Sequence, residues 1–147
     1  MLVSIELRWC RIRDTAHLPQ RQSELATGYD LHACLEDGSI EIGTLPSRIP
    51  TGIAIAAPPG TDLQVRPRSG LFARGVIGSV GTIDADYRGE IFVTLYCLPD
   101  IGSFEINDGE RIAQLVVAQH VTAIWSEVDK LDDTVRGSDG HGSTGLS

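Results

Sequence analysis

The chain has 147 residues, 41% of them apolar and 22% charged, which suits one soluble domain with a core of its own. A net charge of −8 sets an overall field that repels nucleic acid and polyphosphates, so an anionic ligand needs local cations, amides or a metal to hold it. No stretch of ~18 apolar residues is present to span a bilayer, and no basic start leads into an apolar segment; together these predict a cytoplasmic protein.

Leu2 to Arg13 reads as an edge or swapped strand, with Ile5, Leu7 and Trp9 alternating against Glu6, Arg8 and Cys10. Ile53 and Ile55 alternate with smaller residues, and Ile91, Val93 and Leu95 alternate with Phe92, Thr94 and Tyr96. "RIAQLVVAQHV", 111–121, is a further apolar run rich in β-branched residues. Turn signals separate these runs: "EDG" at 36–38, "PPG" at 58–60, "DYRGE" at 86–90 and "NDGE" at 107–110. Short strands without a sustained 3.6 period predict an all-β sandwich or barrel. After Lys130 the apolar residues thin out while Gly, Ser and Asp accumulate, so the chain divides into a domain over 1–130 and a flexible C-terminal arm over 131–147. Cys10, Cys34 and Cys97 are odd in number and widely spaced, which predicts buried free thiols in a reducing compartment.

"RPRSGLFARG", 66–75, breaks the strand pattern. Pro67 cannot donate to a ladder, Ser69 is a good helix N-cap, and Leu71 to Ala73 predict about one helical turn whose free amides, beside Arg66, Arg68 and Arg74, suit phosphate. "GTIDADYRGE", 81–90, reads as a hairpin in which Asp84, Asp86 and Glu90 flank Tyr87; a carboxylate there can orient a water or bind a metal. His17, His32, His120 and His141 are too scattered to suggest zinc, and His120 reads as a satisfied strand histidine. Gln114 stands among apolar neighbours and needs a partner, for which a backbone group suffices.

Taken in order, "ATGYDLHA" (26–33), "RPRSGLFARG", "GTIDADYRGE", "GERIAQLV" (109–116) and "RGSDGHGSTG" (136–145) resemble the five motifs of the trimeric dUTPase family. "IPTGIAIAAPPG", 49–60, is similar to that family's linking strand and turn. The resemblance implies a jelly-roll-like β barrel with one short helix after the Arg68–Ser69 turn. It also implies a homotrimer whose active sites are shared between subunits, acting on dUTP rather than on nucleic acid or membrane. The activity implied is hydrolysis of dUTP to dUMP and pyrophosphate with Mg²⁺, which limits dUTP and supplies dUMP for dTMP synthesis.

Carried over residue by residue, the resemblance makes Asp84, not the neighbouring Asp86, the carboxylate that orients the attacking water. Tyr87 corresponds to the ring that excludes a 2′-hydroxyl, while Gly81, Thr82, Ile83 and Phe92 belong to the base pocket. Arg68, Ser69 and Gly70 correspond to the phosphate turn, Gln114 to a polar residue near the α-phosphate, and Asp30 to the acid that holds Mg²⁺ through water. From the last motif, Arg136, His141, Gly142, Ser143 and Thr144 would reach the nucleotide, with Arg136 gripping the γ-phosphate. His141 stands where the family usually has phenylalanine, Asp139 replaces a usual glycine, and the Ser69 to Asp84 spacing is shorter than usual. Two alternatives carry different chemistry: a dCTP deaminase-like enzyme of the same fold, and a non-catalytic dUTP-binding trimer that acts through a protein partner.

Overall fold

The computed structural model describes residues 4–138. Its strands are β1 (Arg8–Arg11), β2 (Tyr29–His32), β3 (Ser39–Ile42), β4 (Ser47–Pro50), β5 (Ile53–Ala56) and β6 (Thr61–Arg66). The short helix α1 (Ser69–Phe72) follows, then β7 (Val76–Gly78), β8 (Gly81–Ile83), β9 (Phe92–Cys97), β10 (Phe104–Asn107) and β11 (Arg111–Gln119). The described chain is therefore all-β apart from one helical turn, as the sequence predicts.

The strands pair into four sheets: β1-β5, β10-β3, β2-β11-β6-β8 and β4-β9-β7. One apolar cluster unites them, with Leu31, Ile42, Ile49, Ile53, Leu63, Val76, Val93, Ile106 and Leu115 among its buried members. β6 and β9 show the two-residue period directly, since Leu63 and Val65, and Val93, Leu95 and Cys97, point into the core while their neighbours are less buried. β11 departs from that period. A register shift between Arg111 and Ala113 lets Ile112 and Ala113 both bury, the local effect of an extra residue in an antiparallel pair.

Five details differ from the sequence reading. Ser69 is the first helical residue rather than the cap: Arg68 is extended (φ −98°, ψ 133°) and caps without a side-chain bond. Arg68 is drawn out of the helix because its guanidinium donates to the Arg111 carbonyl at 2.6 Å. Residues 81–90 are not a hairpin, because β8 pairs with β6 whereas β9 pairs with β4 and β7; the Asp84–Tyr87 turn joins two different sheets. Cys34 and Cys97 are buried but Cys10 is exposed, since β1 is an edge strand that pairs with β5 alone. Among the described residues the first strand covers Arg8–Arg11, leaving Ile5 exposed. His120 lies one residue past β11, exposed, with its amide donating to the Gly60 carbonyl at 3.1 Å.

Residues 120–138 contain no helix or strand. Large apolar side chains are nevertheless exposed along them, with Ile124 at 96% and Trp125 at 93%. No helix among the described residues is long and apolar enough to cross a membrane.

Candidate active site

Two groups of predicted residues are brought together in two places. The first is a cavity of about 300 Å³ lined by Gly81, Thr82, Ile83, Asp84, Tyr87 and Phe92, together with Arg48, Val65, Glu90, Ile91 and Thr94. That volume is at the small end of ligand sites. β8 forms one wall because its register on β6 sets Gly81 against Val65 and Ile83 against Leu63. Ile83 is buried, so the chain leaves the core at Asp84, which is exposed at the start of the turn. The Tyr87 amide closes that turn by donating to the Asp84 carbonyl at 3.0 Å.

Tyr87 is held at both ends. Its hydroxyl donates to the Glu90 carbonyl at 3.0 Å, and its ring lies so close over Gly89 that an added Cβ would stand 2.3 Å from the phenolic oxygen. Phe92 carries the Arg48 guanidinium over its ring at 4.2 Å, a cation–π contact that places a positive charge on the cavity wall. Arg48 sits in no recognisable motif. It reaches the cavity because β4 pairs with β9, placing Arg48 opposite Thr94 and diagonal to Phe92.

The second group gathers on the β2-β11-β6 ladder, where Gln114 lies opposite Asp30 on one side and Arg66 on the other. Asp30 has a side chain only 12% exposed, and a carboxylate so placed needs cationic partners. Arg111 supplies one at 3.3 Å and Arg68 a second at 3.7 Å. Gln114 donates to the Pro67 carbonyl at 3.1 Å, which ties β11 to the start of the phosphate-type turn. Its amide oxygen lies over Gly28, where an added Cβ would come within 2.2 Å of it. Ser69 and Gly70 are exposed at the start of α1, beside this cluster in the chain. Arg111, inside the fourth motif, was not singled out by sequence reasoning; only its bond to Asp30 reveals its part.

Asp30 sets what the cluster can do with a metal. Among the described residues no group of three or more His, Cys, Asp or Glu side chains could hold an ion. A single carboxylate shared between two guanidiniums suits a Mg²⁺ held through its waters and by substrate oxygens, the mode that a reluctantly dehydrated ion favours.

The cavity is lined by none of Asp30, Arg68, Ser69, Gly70 and Gln114. Arg136, also absent from the lining, lies in the exposed segment that follows β11. His141, Gly142, Ser143 and Thr144 lie outside the described residues. Near Asp30, the His32 ring stacks on His17 with centroids 4.9 Å apart, and its Nδ1 is buried without a hydrogen-bond partner. Burial, reinforced by the neighbouring His17, pushes the His32 pKa below its ordinary value.

The family model for dUTPase matches residues 14–145. The deoxyuridine 5'-triphosphate nucleotidohydrolase of Roseobacter denitrificans is 44% identical over 149 residues, covering 98% of this chain and 97% of its own. The protein of the same name from Rickettsia prowazekii is 46% identical over 134 residues, covering 88% and 89%. Among solved structures, a Staphylococcus bacteriophage 80alpha dUTPase with dUpNHpp superimposes with a TM-score of 0.84 at 24% identity, over 97% of this chain and all of that one. A dUTPase from phage phi11 of S. aureus, studied for its coordination of a structural Mg(II) ion, gives 0.76 at 20% identity over 86% and 98%. At those identities the likeness is one of fold. The family match and the closer relatives carry more, and the chain belongs to the dUTPase family.

Proposed function

We propose that this protein is a dUTP diphosphatase, hydrolysing dUTP to dUMP and pyrophosphate and so limiting dUTP while supplying dUMP for dTMP synthesis. The observation that carries the reading is one cavity lined together by the β8 residues Gly81 to Ile83, Asp84, Tyr87 and Phe92. Uracil lies along Gly81–Ile83, with Phe92 behind it, where amides and carbonyls complement its edge. Tyr87 packs on the deoxyribose and leaves no room for a 2′-hydroxyl, which rejects UTP by exclusion. Asp84 aligns a water with the α-phosphorus and accepts its proton. Arg68, Ser69 and Gly70 stabilise charge that develops on the leaving pyrophosphate, and Gln114 orders the region of the α-phosphate. Asp30 holds Mg²⁺ through water; the ion, when bound, offsets the charge of the triphosphate in a protein of net charge −8.

A homotrimer completes the site. In this reading an adjacent subunit brings the Asp30 cluster to the Asp84 cavity, and what supports it is that the cavity is lined by none of Asp30, Arg68, Ser69, Gly70 and Gln114. The exposed apolar side chains at Ile124 and Trp125 also call for cover by another chain. Residues 131–147 act as an arm that delivers Arg136, His141, Gly142, Ser143 and Thr144 to the nucleotide of a neighbouring subunit. An imidazole at His141 has a π face and stacks on the base in place of the family's phenylalanine. Three unpaired thiols suit work in a reducing, cytoplasmic compartment.

The test is incubation of the purified protein with dUTP, dCTP, UTP and dTTP plus Mg²⁺ while pyrophosphate and ammonia are measured. Pyrophosphate from dUTP alone, lost in Asp84→Asn, is the expected result; ammonia from dCTP overturns the reading. Mixing inactive Asp84→Asn with Gln114→Ala, which binds dUTP more weakly, tests the shared site, because at limiting dUTP subunit exchange raises turnover only if the two groups act across an interface. Deleting the residues after Val135 should keep the oligomer, by light scattering, and nearly abolish turnover.

A further inference from the structure

Glu90 closes the turn that carries Asp84 and Tyr87, and its two ends do different things. Its main-chain carbonyl accepts the Tyr87 hydroxyl at 3.0 Å. Its side chain, 11% exposed, points away toward the β4–β5 corner, where one carboxylate oxygen accepts from the Gly52 amide at 2.9 Å and from Arg13 Nε at 3.0 Å. Gly52 is itself a junction, since its carbonyl accepts the amides of Ile12 at 2.7 Å and Arg13 at 3.2 Å. Arg13 donates a second time to the exposed Glu36 at 2.9 Å.

A chain of bonds thus runs from Glu36 through Arg13 and Glu90 to the Tyr87 hydroxyl. Arg13 is not among the residues that line the cavity. An ion pair with one part-buried oxygen that also takes a backbone amide is a directional anchor rather than a loose surface pair. Tyr87 has little other support at its outer edge, because its ring rests on Gly89, which offers no side chain, and the residue is 43% exposed. Whatever moves the Glu90 backbone moves the point on which the phenol is fastened.

We infer that Arg13 and Glu90 are positioning residues for sugar selection: their ion pair holds the Glu90 carbonyl, and through it the Tyr87 ring, where a 2′-hydroxyl would collide. The inference rests on Tyr87 being the residue that excludes the ribonucleotide. A steric wall rejects a larger substrate only while it cannot recede, and freedom of the ring admits UTP before it harms dUTP.

The experiment measures kcat/KM for dUTP and UTP in Arg13→Ala, Arg13→Lys, Glu90→Gln, Tyr87→Phe and Tyr87→Ala, with the thermal midpoint of each. In Arg13→Ala the dUTP:UTP ratio should fall about 10- to 100-fold, through a rise for UTP, while kcat for dUTP changes less. Arg13→Lys restores part of the ratio, and Glu90→Gln, which keeps an oxygen for the Gly52 amide, is intermediate. Tyr87→Phe removes the hydroxyl bond alone and should lower the ratio without further loss when combined with Arg13→Ala. A merely structural role would depress both substrates together in step with the thermal midpoint, leaving the ratio unchanged, and that outcome overturns the inference. If Tyr87→Ala itself leaves the ratio unchanged, the reading of Tyr87 fails instead. Arg13 is 30% exposed in its side chain, so Arg13→Ala remains a usable protein should the Glu90 variant not fold.

Discussion

The Asp84 cavity and the Asp30 cluster are built by opposite means within one chain. The cavity is shaped by main chain and packing: β8 forms a wall, Ile83 and Ile91 line it while buried, and glycine at 89 leaves room for the Tyr87 ring. The Asp30 cluster is shaped by charge, with two guanidiniums converging on a largely buried carboxylate and Gln114 bonded to Pro67. A wall of main chain discriminates by shape and tolerates salt, whereas a cluster of charges grips an anion and weakens as ions screen it. Changes in the first region should therefore alter which nucleotide reacts and how fast. Changes in the second should alter how tightly triphosphate is held and how stable the fold is.

Asp84→Asn is the sharpest probe of the cavity. Turnover of dUTP should fall about 10²- to 10⁴-fold while affinity for a non-hydrolysable analogue, measured by calorimetry, stays close to that of the parent. A large loss of affinity would erase the distinction between the regions. Asp30→Ala is the corresponding break in the second region. It strands Arg111 and Arg68 beside an emptied position, and because both are partly exposed the expected cost is about 1–3 kcal/mol. A lower urea midpoint with an unchanged slope would report it, together with a raised Mg²⁺ requirement.

Gly28→Ala probes the packing of the charged region without touching a charge. The new methyl would meet the Gln114 amide oxygen at 2.2 Å and its Cβ at 3.0 Å, so Gln114 must swing and loosen its bond to Pro67. The KM for dUTP should rise several-fold and kcat fall less. Selectivity over UTP should hold, because Gly28 lies outside the cavity.

The smallest expected effect is that of pH on His32. Its folded pKa lies below the ordinary 6.5, so as pH falls through 6.5 the unfolded chain takes up a proton before the folded one. Stability from this group is thus complete above 6.5 and declines as the pH drops toward the folded value. In metal-free buffer the urea midpoint should fall between pH 7 and 5, and His32→Gln should flatten that slope. An unaltered slope would mean that the stacked His17 and His32 pair contributes nothing to acid sensitivity.

Strands whose two faces meet different surroundings were legible from alternation, and Ile91, Val93 and Leu95 are all buried as their spacing predicts. The short helix was legible too, from Pro67 and the run that follows it, although its start was placed one role away because Arg68 has a tertiary partner in Arg111. The turn at 81–90 looked like a hairpin since two apolar runs flank a Gly- and Asp-rich link. Nothing local reveals that β8 and β9 belong to different sheets.

By itself, the sequence determined the all-β class, the order of five motifs and the identity of the residues in them. The class is carried by side-chain period and turn chemistry over a few residues, and the motifs by contiguous stretches that resemble those of the dUTPase family. The tertiary structure decided which distant residues serve those motifs. Arg48 meets Phe92 through the β4–β9 register, Arg111 meets Asp30 through β11 and β2, and Arg13 meets Glu90 across 77 positions of chain. Such partners are selected by strand pairing and by the need to satisfy a buried charge, and both are settled only when the sheets close on one core.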